Sequence, residues 1–444
     1  MATPTKQKPW LLVCASPAAG HANPVINITA ALVERGYKVA FITGKEFEDS
    51  VRKIGADVIG TLPPYEEELF KLKLEIPDPI AQLQFDMRNF FINRIQPRKE
   101  ALYTALEQMR SQAPEREIVI VTESWYMGTL PLYLGAPLPK GFSERPRIVN
   151  IHAAAYMFTS VDTAPFGLAL PPDSSEEGRV RNKTLHEQML NGPWKELIAE
   201  QGALLAGLGA TDYEPAMLFD TWTTAADVTL QTSPPGLEYV ISDPHPKIKF
   251  VGALVPKERQ DNAVPDFWSE VTRGDKKVVV VTQGTVDENF EQLIIPTLEA
   301  LADRDDLLVM AILGKKGAAL QAGVKVPANA RIVDYLRYDT ILAHASAFVT
   351  NAGYGGVIHG MVNGVPMVLS GASEDKPEVA NRAEYAGIGI NLKTGSPTRE
   401  QVSEAVGKIL SETTYQARAT KLKDENEQLK AIDKIEEAIL GGQH

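Results

Sequence analysis

Short apolar runs recur along the chain, each followed by a small-residue or polar turn and then by a helical repeat. Leu11–Ala15 is an unbroken apolar run, suited to a strand buried on both faces. A loop of small residues, Ser16 to His21, follows it. Pro24 then opens a helical pattern with apolar residues at Val25, Ile28, Ala31 and Leu32, and Gly36 closes it. Val39–Thr43 is the next expected strand, which completes a βαβ unit. Ile118–Val121 and Arg147–Ile151 read the same way, with helices between them. From about Asp162 to Leu218 the pattern is helical without a clear strand, an insertion suited to an acceptor pocket or lid. The alternation restarts at Lys277–Thr282, which runs into Gln283-Gly284-Thr285, and continues through Leu307–Leu313, Ala347–Val349, Pro366–Leu369 and Gly389–Leu392. Pro296 implies a helix that is kinked or starts late. Thr414 to Leu440 is a charged helical pattern.

At 444 residues the chain exceeds what one hydrophobic core usually supports. The expected domains are 1–240, carrying the helical insertion at 162–218, and 241–413, followed by a helical segment at 414–444. A Pro-rich stretch from Ser233-Pro234-Pro235-Gly236 through Pro244, Pro246, Pro256 and Pro265 reads as the linker. Two α/β halves of this kind imply two facing, doubly wound parallel sheets. Ligands bind such sheets at the carboxyl ends of their strands, so a cleft between the halves is the expected site.

Composition narrows the partners. A net charge of -12 argues against nonspecific binding to nucleic acid or to anionic membranes. A phosphate ligand stays possible, because helix ends and backbone N–H groups hold anions. The single cysteine, Cys14, permits no internal disulfide, and no stretch is apolar and long enough to span a bilayer. The polar start, Met1 to Pro9, does not read as a secretory signal, so a cytoplasmic protein is expected.

The strongest chemical signal is Thr350-Asn351-Ala352-Gly353-Tyr354-Gly355-Gly356-Val357, followed by Asn363-Gly364-Val365-Pro366 and Glu374-Asp375-Lys376-Pro377. A strand feeds a Gly-rich turn and a helix whose first N–H groups carry partial positive charge, which suits a diphosphate. Such a turn alone is also what a tight αβ connection requires. In combination, the stretch Arg331 to Leu392 resembles the nucleotide-sugar signature of the family 1 UDP-glycosyltransferases, which have two Rossmann-like domains in the GT-B arrangement. The resemblance is closest to a microbial, fungal-like branch. It extends to Gly20-His21-Ala22-Asn23-Pro24 and Thr282-Gln283-Gly284-Thr285.

That resemblance implies roles. Tyr335 would stack on uracil, with the backbone near Leu336 reading its edge. Asn351, Gly353, Gly355 and Gly356 would contact phosphate. His359 stands where many members place a Glu or Gln on the ribose. Asp375 and Lys376 match the Asp-Gln pair that binds sugar hydroxyls, although a solvated turn is the alternative. His21 would be the general base, a role an imidazole fills near neutral pH. Glu123, where most members have Asp, would orient it; otherwise it is a strand-end carboxylate in water. Thr285 could donate to the departing phosphate, and Gln283 would line or shape that loop. Trp125, Tyr126, His152 and Phe158 are candidates for the acceptor pocket, with core packing as the alternative. Asp303-Arg304-Asp305 resembles a cation-binding motif but sits in a charged turn, and no metal or other cofactor is expected. The expected activity is inverting transfer of a hexose, glucose first, from a UDP-sugar donor to a hydroxyl of a small acceptor. The alternatives are a UDP-sugar epimerase and a non-catalytic nucleotide-sugar-binding protein.

Overall fold

The computed structural model describes residues 7–254, 264–284 and 289–441. Its first sheet contains β1 (Trp10–Cys14), β2 (Lys38–Gly44), β3 (Asp57–Leu62), β4 (Ile118–Glu123), β5 (Arg147–His152), β6 (Val228–Gln231) and β7 (Ile248–Phe250). They lie in the order β3-β2-β1-β4-β5-β6-β7, and every pairing is parallel. The second sheet contains β8 (Lys277–Thr282), β9 (Leu307–Ile312), β10 (Ala330–Val333), β11 (Ala345–Thr350), β12 (Met367–Leu369) and β13 (Gly389–Asn391). Its order is β10-β9-β8-β11-β12-β13, again wholly parallel.

Parallel strands covered by helices on both faces must be apolar on both sides. Trp10-Leu11-Leu12-Val13-Cys14 meets that demand, with every residue at most 2% exposed. Each such aliphatic side chain contributes about 1.5–3 kcal/mol on burial. Helix Ala19–Glu34 lays Ala22, Val25, Ile28 and Leu32 on one face of this sheet. In each sheet the strand order reverses once, between β1 and β4 and between β8 and β11. Doubly wound sheets form their ligand crevice at such a point.

Three departures from the sequence reading matter. Helix Ala19–Glu34 begins five residues before Pro24, which lies inside it, so His21 stands in the first turn and not in a loop. The first lobe's sheet extends to Phe250, past the expected boundary at 240, because β7 pairs with β6. The segment after 413 splits at Lys430 (φ 51°) into helices Thr413–Leu429 and Ala431–Leu440. The first packs Ala419 and Leu422 into the second lobe; the last returns to the first lobe, where Ile435 and Ile439 join its core. Thr285 lies outside the described residues. The insertion is helical as expected, with helices Glu176–Asn191 and Lys195–Gly207, and Pro296 falls in the first turn of the late-starting helix Ile294–Ala300.

Candidate active site

Each reversal point places candidate residues at the carboxyl ends of its strands. In the first lobe β1 ends at Cys14, and the chain crosses to the helix that opens at Ala19. His21 N donates to Ala18 O at 3.0 Å, which fixes the ring's root in that first turn. Glu123 is the last residue of the neighbouring β4 and is 1% exposed. Its Oε1 lies 3.0 Å from His21 Nδ1 and accepts from Trp125 N at 2.9 Å, while Oε2 accepts from Ser16 N at 3.4 Å. Burial pushes the Glu123 pKa up; the imidazole and these backbone N–H groups outweigh it and hold the carboxyl below its ordinary value. Glu123 is therefore a carboxylate aimed at one ring nitrogen. The side chain of His21 keeps 27% of its surface exposed. This leaves Nε2, which has no hydrogen-bond partner among the described residues, facing the crevice.

In the second lobe β8 and β11 end side by side at Thr282 and Thr350. The turn after β11 runs through Ala352 at φ 62° into helix Tyr354–Val362, capped by Gly353. The N–H groups of Tyr354, Gly355 and Gly356 are the first of that helix and have no intrahelical acceptor. A Cβ on Gly355 would meet nothing within 4 Å. The protein's own packing thus leaves that position open, which suits a ligand that must approach the backbone closely. Asn351 Nδ2 donates to Gln283 O, and its Oδ1 accepts from Gly353 N at 3.4 Å, so Asn351 braces the two turns. Gln283 is 2% exposed. Its side chain bonds the backbone of Asn289, Leu293 and Ile294 at 2.8, 3.1 and 2.9 Å, which commits it to the loop's shape.

The remaining donor-side candidates divide. Tyr335, following β10, is 46% exposed with Lys316 Nζ 5.9 Å from its ring centre, whereas the Leu336 side chain is buried. His359, one turn along the helix from Gly355, has Nδ1 2.7 Å from Asp339 Oδ1. Asp375 is half-buried at the start of helix Lys376–Tyr385, and its carboxylate makes no capping hydrogen bond to that helix. Burial raises its pKa, and the charges acting on it include Lys376, Glu374 and, from the other lobe, His21. The His21 charge thus reaches Asp375 from the other lobe. Lys376 Nζ turns to Glu374 Oε2 at 2.5 Å and Ser373 Oγ at 3.2 Å.

Among the acceptor-side candidates, only Trp125 borders His21, at 5.7 Å between ring centroids. Tyr126 is fully buried with its hydroxyl on Arg98 O at 2.8 Å. His152 is core as well: Ser124 Oγ lies 2.8 Å from its Nδ1, and burial pushes its pKa down to about 4. Phe158 packs on His245, away from His21. Sequence reasoning missed Phe91 and Trp222, whose rings lie 4.9 and 5.6 Å from Trp125. Spacing gave no signal for them, because they come from distant segments. Arg304 pairs with Asp306 at 2.7 Å in an exposed turn. Among the described residues, no three His, Cys, Asp or Glu side chains are grouped to hold a metal ion, and no helix is long and apolar enough to cross a membrane.

Two doubly wound lobes, one with a carboxylate-held imidazole at its reversal point and the other with a Gly-rich helix terminus, are the parts of a nucleotide-sugar transferase. Residues 296–431 match the family described as Erythromycin biosynthesis protein CIII-like, C-terminal domain. The chain is 48% identical to UDP-glucosyltransferase 1 of Beauveria bassiana over 97% of this chain and 94% of that one. It is 37% identical to UDP-glucosyltransferase B1 of Starmerella bombicola over 98% of each. The crystal structure of the calicheamicin glycosyltransferase shares the fold with a TM-score of 0.68 at 19% identity, over 99% of this chain and 100% of that one. The chain belongs to the family 1 UDP-glycosyltransferases, and it is a UDP-dependent glycosyltransferase of GT-B architecture.

Proposed function

We propose that this enzyme transfers glucose from UDP-glucose to a hydroxyl of a small, phenol-like acceptor, with inversion at the anomeric carbon. The observation that carries this reading is the His21–Glu123 pair, 3.0 Å apart at the reversal point of the first sheet. The relatives named UDP-glucosyltransferases support the donor.

In this reading Nε2 of His21 removes the acceptor's proton as its oxygen attacks the anomeric carbon from the face opposite UDP. Glu123 accepts a hydrogen bond from Nδ1–H, which fixes the tautomer and stabilises the imidazolium that forms. The N–H groups of Gly355 and Gly356 face the diphosphate, where negative charge grows as UDP leaves. Asp375 accepts from hydroxyls of the sugar, and Tyr335 stacks on the base. Lys376, held by Glu374, serves the turn and not the sugar. The described residues supply these roles without a metal, and a reducing, cytoplasmic setting completes the proposal, in keeping with one buried cysteine.

The test is a product analysis. Purified enzyme is incubated with a phenol panel and UDP-glucose, UDP-N-acetylglucosamine or UDP-glucuronate, and the products are read by mass spectrometry and NMR. The expected result is a β-glucoside formed fastest from UDP-glucose. An α-linked product, or a sugar isomer formed from the donor alone, would contradict it.

A further inference from the structure

Helix Lys376–Tyr385 begins at Asp375 and is fastened to the opposite lobe by buried charges. Glu238, Glu378 and Arg382 are 4, 4 and 6% exposed. Arg382 donates from Nε to Glu238 Oε2 at 2.8 Å, from Nη1 to Glu378 Oε2 at 2.7 Å and from Nη2 to Tyr156 O at 2.8 Å. Glu378 Oε1 in turn accepts from Gly167 N at 2.7 Å and Ala169 N at 2.8 Å, and Asn381 Nδ2 donates to Ala169 O at 2.6 Å. Glu238 Oε1 accepts from Tyr156 N at 3.1 Å. Ala169 holds φ 50°, a conformation that costs a non-glycine residue of order 1–3 kcal/mol and persists only where its surroundings enforce it. The phosphate-side helix is tied across as well: Gln231 Nε2 donates to the Tyr354 hydroxyl at 3.2 Å.

Buried charges of this kind are a poor source of net stability, because desolvation offsets their attraction. Their geometry is more telling, since a guanidinium with three acceptors fixes orientation as well as distance. The same side chain also begins a run of packed rings that ends at the general base. Arg382 Cζ lies 5.5 Å from the centre of Phe166, Phe166 lies 5.6 Å from Phe219, Phe219 5.9 Å from Trp125, and Trp125 5.7 Å from His21.

We propose that Arg382, with Glu238 and Glu378, is the positioning device of the transfer: it holds the Asp375 helix against the first lobe and thereby sets the separation between the bound sugar and His21. This rests on the function proposed above. Arg382 touches neither substrate; it acts through Asp375 on one side and the aromatic stack on the other.

The test compares wild type with Arg382→Lys, which keeps the charge but gathers its donors on one nitrogen and cannot span acceptors on Glu238, Glu378 and Tyr156 at once, and with Glu378→Gln, which keeps the shape. Transfer of glucose from UDP-glucose to 4-methylumbelliferone and hydrolysis of UDP-glucose without acceptor are both measured, beside thermal unfolding. A displacement of about 1 Å in a reacting geometry costs on the order of a hundredfold. The expected result is that kcat falls by about that factor while the KM for UDP-glucose moves less than about threefold, and that hydrolysis gains on transfer because water enters a looser crevice. A folded variant with kcat and the hydrolysis ratio near those of wild type would overturn the proposal. So would variants that merely unfold at the assay temperature, since the seam would then serve stability alone. Wild type that neither transfers nor hydrolyses UDP-glucose would instead overturn the underlying function, and the proposal with it.

Discussion

Glu123 stands almost wholly out of water, ionised by the imidazole and the two N–H groups it faces. A carboxylate placed so carefully has one outward partner, and removing its charge should act through that partner. Glu123→Gln preserves shape and is expected to lower kcat by about 10²–10⁴-fold with little change in the KM for UDP-glucose. Steady-state kinetics check this, and an unchanged kcat would reduce Glu123 to a structural residue. His21 and Glu123 were singled out in the sequence by the family resemblance, and each follows or ends an apolar strand, where a doubly wound sheet exposes its ligands. The longer Glu is accommodated by two backbone N–H groups, from Ser16 and Trp125, that no linear pattern announces. Lys376 and Gln283 show the reverse: the motif marked them, and local partners hold their side chains.

At the scale of elements, the apolar runs placed the central strands of both sheets. The missed strands β3, β6, β7 and β10 are short or flank the sheet, and polar residues such as Asp57, Thr229, Lys249 and Arg331 interrupt their apolar ones, so no run stands out. Helix Ala19–Glu34 tolerates Pro24 because a proline near a helix start forfeits only one internal bond. Helix Ala431–Leu440 is anchored on the first lobe by Glu436, which takes bonds from Lys8 Nζ at 2.8 Å, Arg35 Nη1 at 2.6 Å and the Tyr37 hydroxyl at 3.0 Å. Burial raises its pKa, but these three donors outweigh burial and bring it from the ordinary 4.5 down to about 2. A depressed carboxylate stabilises fully above its unfolded pKa and loses that contribution as pH falls through the folded one. The helix is therefore expected to stay docked above about pH 4.5 and to loosen progressively toward about pH 2. Hydrogen exchange across 431–440 reads this directly. Glu436→Gln should show the loosened exchange already at neutral pH; protection equal to wild type would contradict the anchoring role.

At the scale of the whole molecule, two doubly wound lobes were foreseen, but not how firmly they meet. The partners of the seam are 144 residues apart for Arg382 and Glu238, and 211 for Gly167 and Glu378, and nothing in local spacing connects such positions. The return of the last helix to the first lobe was hidden for the same reason, so the chain crosses between the lobes twice. What these crossings hold together are the two lobes, which in the proposed function supply an imidazole from the first and an amide-lined helix terminus from the second. The division of labour between them is separable by a single substitution, His21→Ala. Turnover of UDP-glucose with acceptor and calorimetric binding of UDP, measured on the same protein, test it most directly. Transfer should fall by at least about 10²–10⁴-fold while UDP binds as tightly as to wild type; near-normal turnover, or lost UDP affinity in a folded variant, would contradict the assignment of base and donor site to opposite lobes.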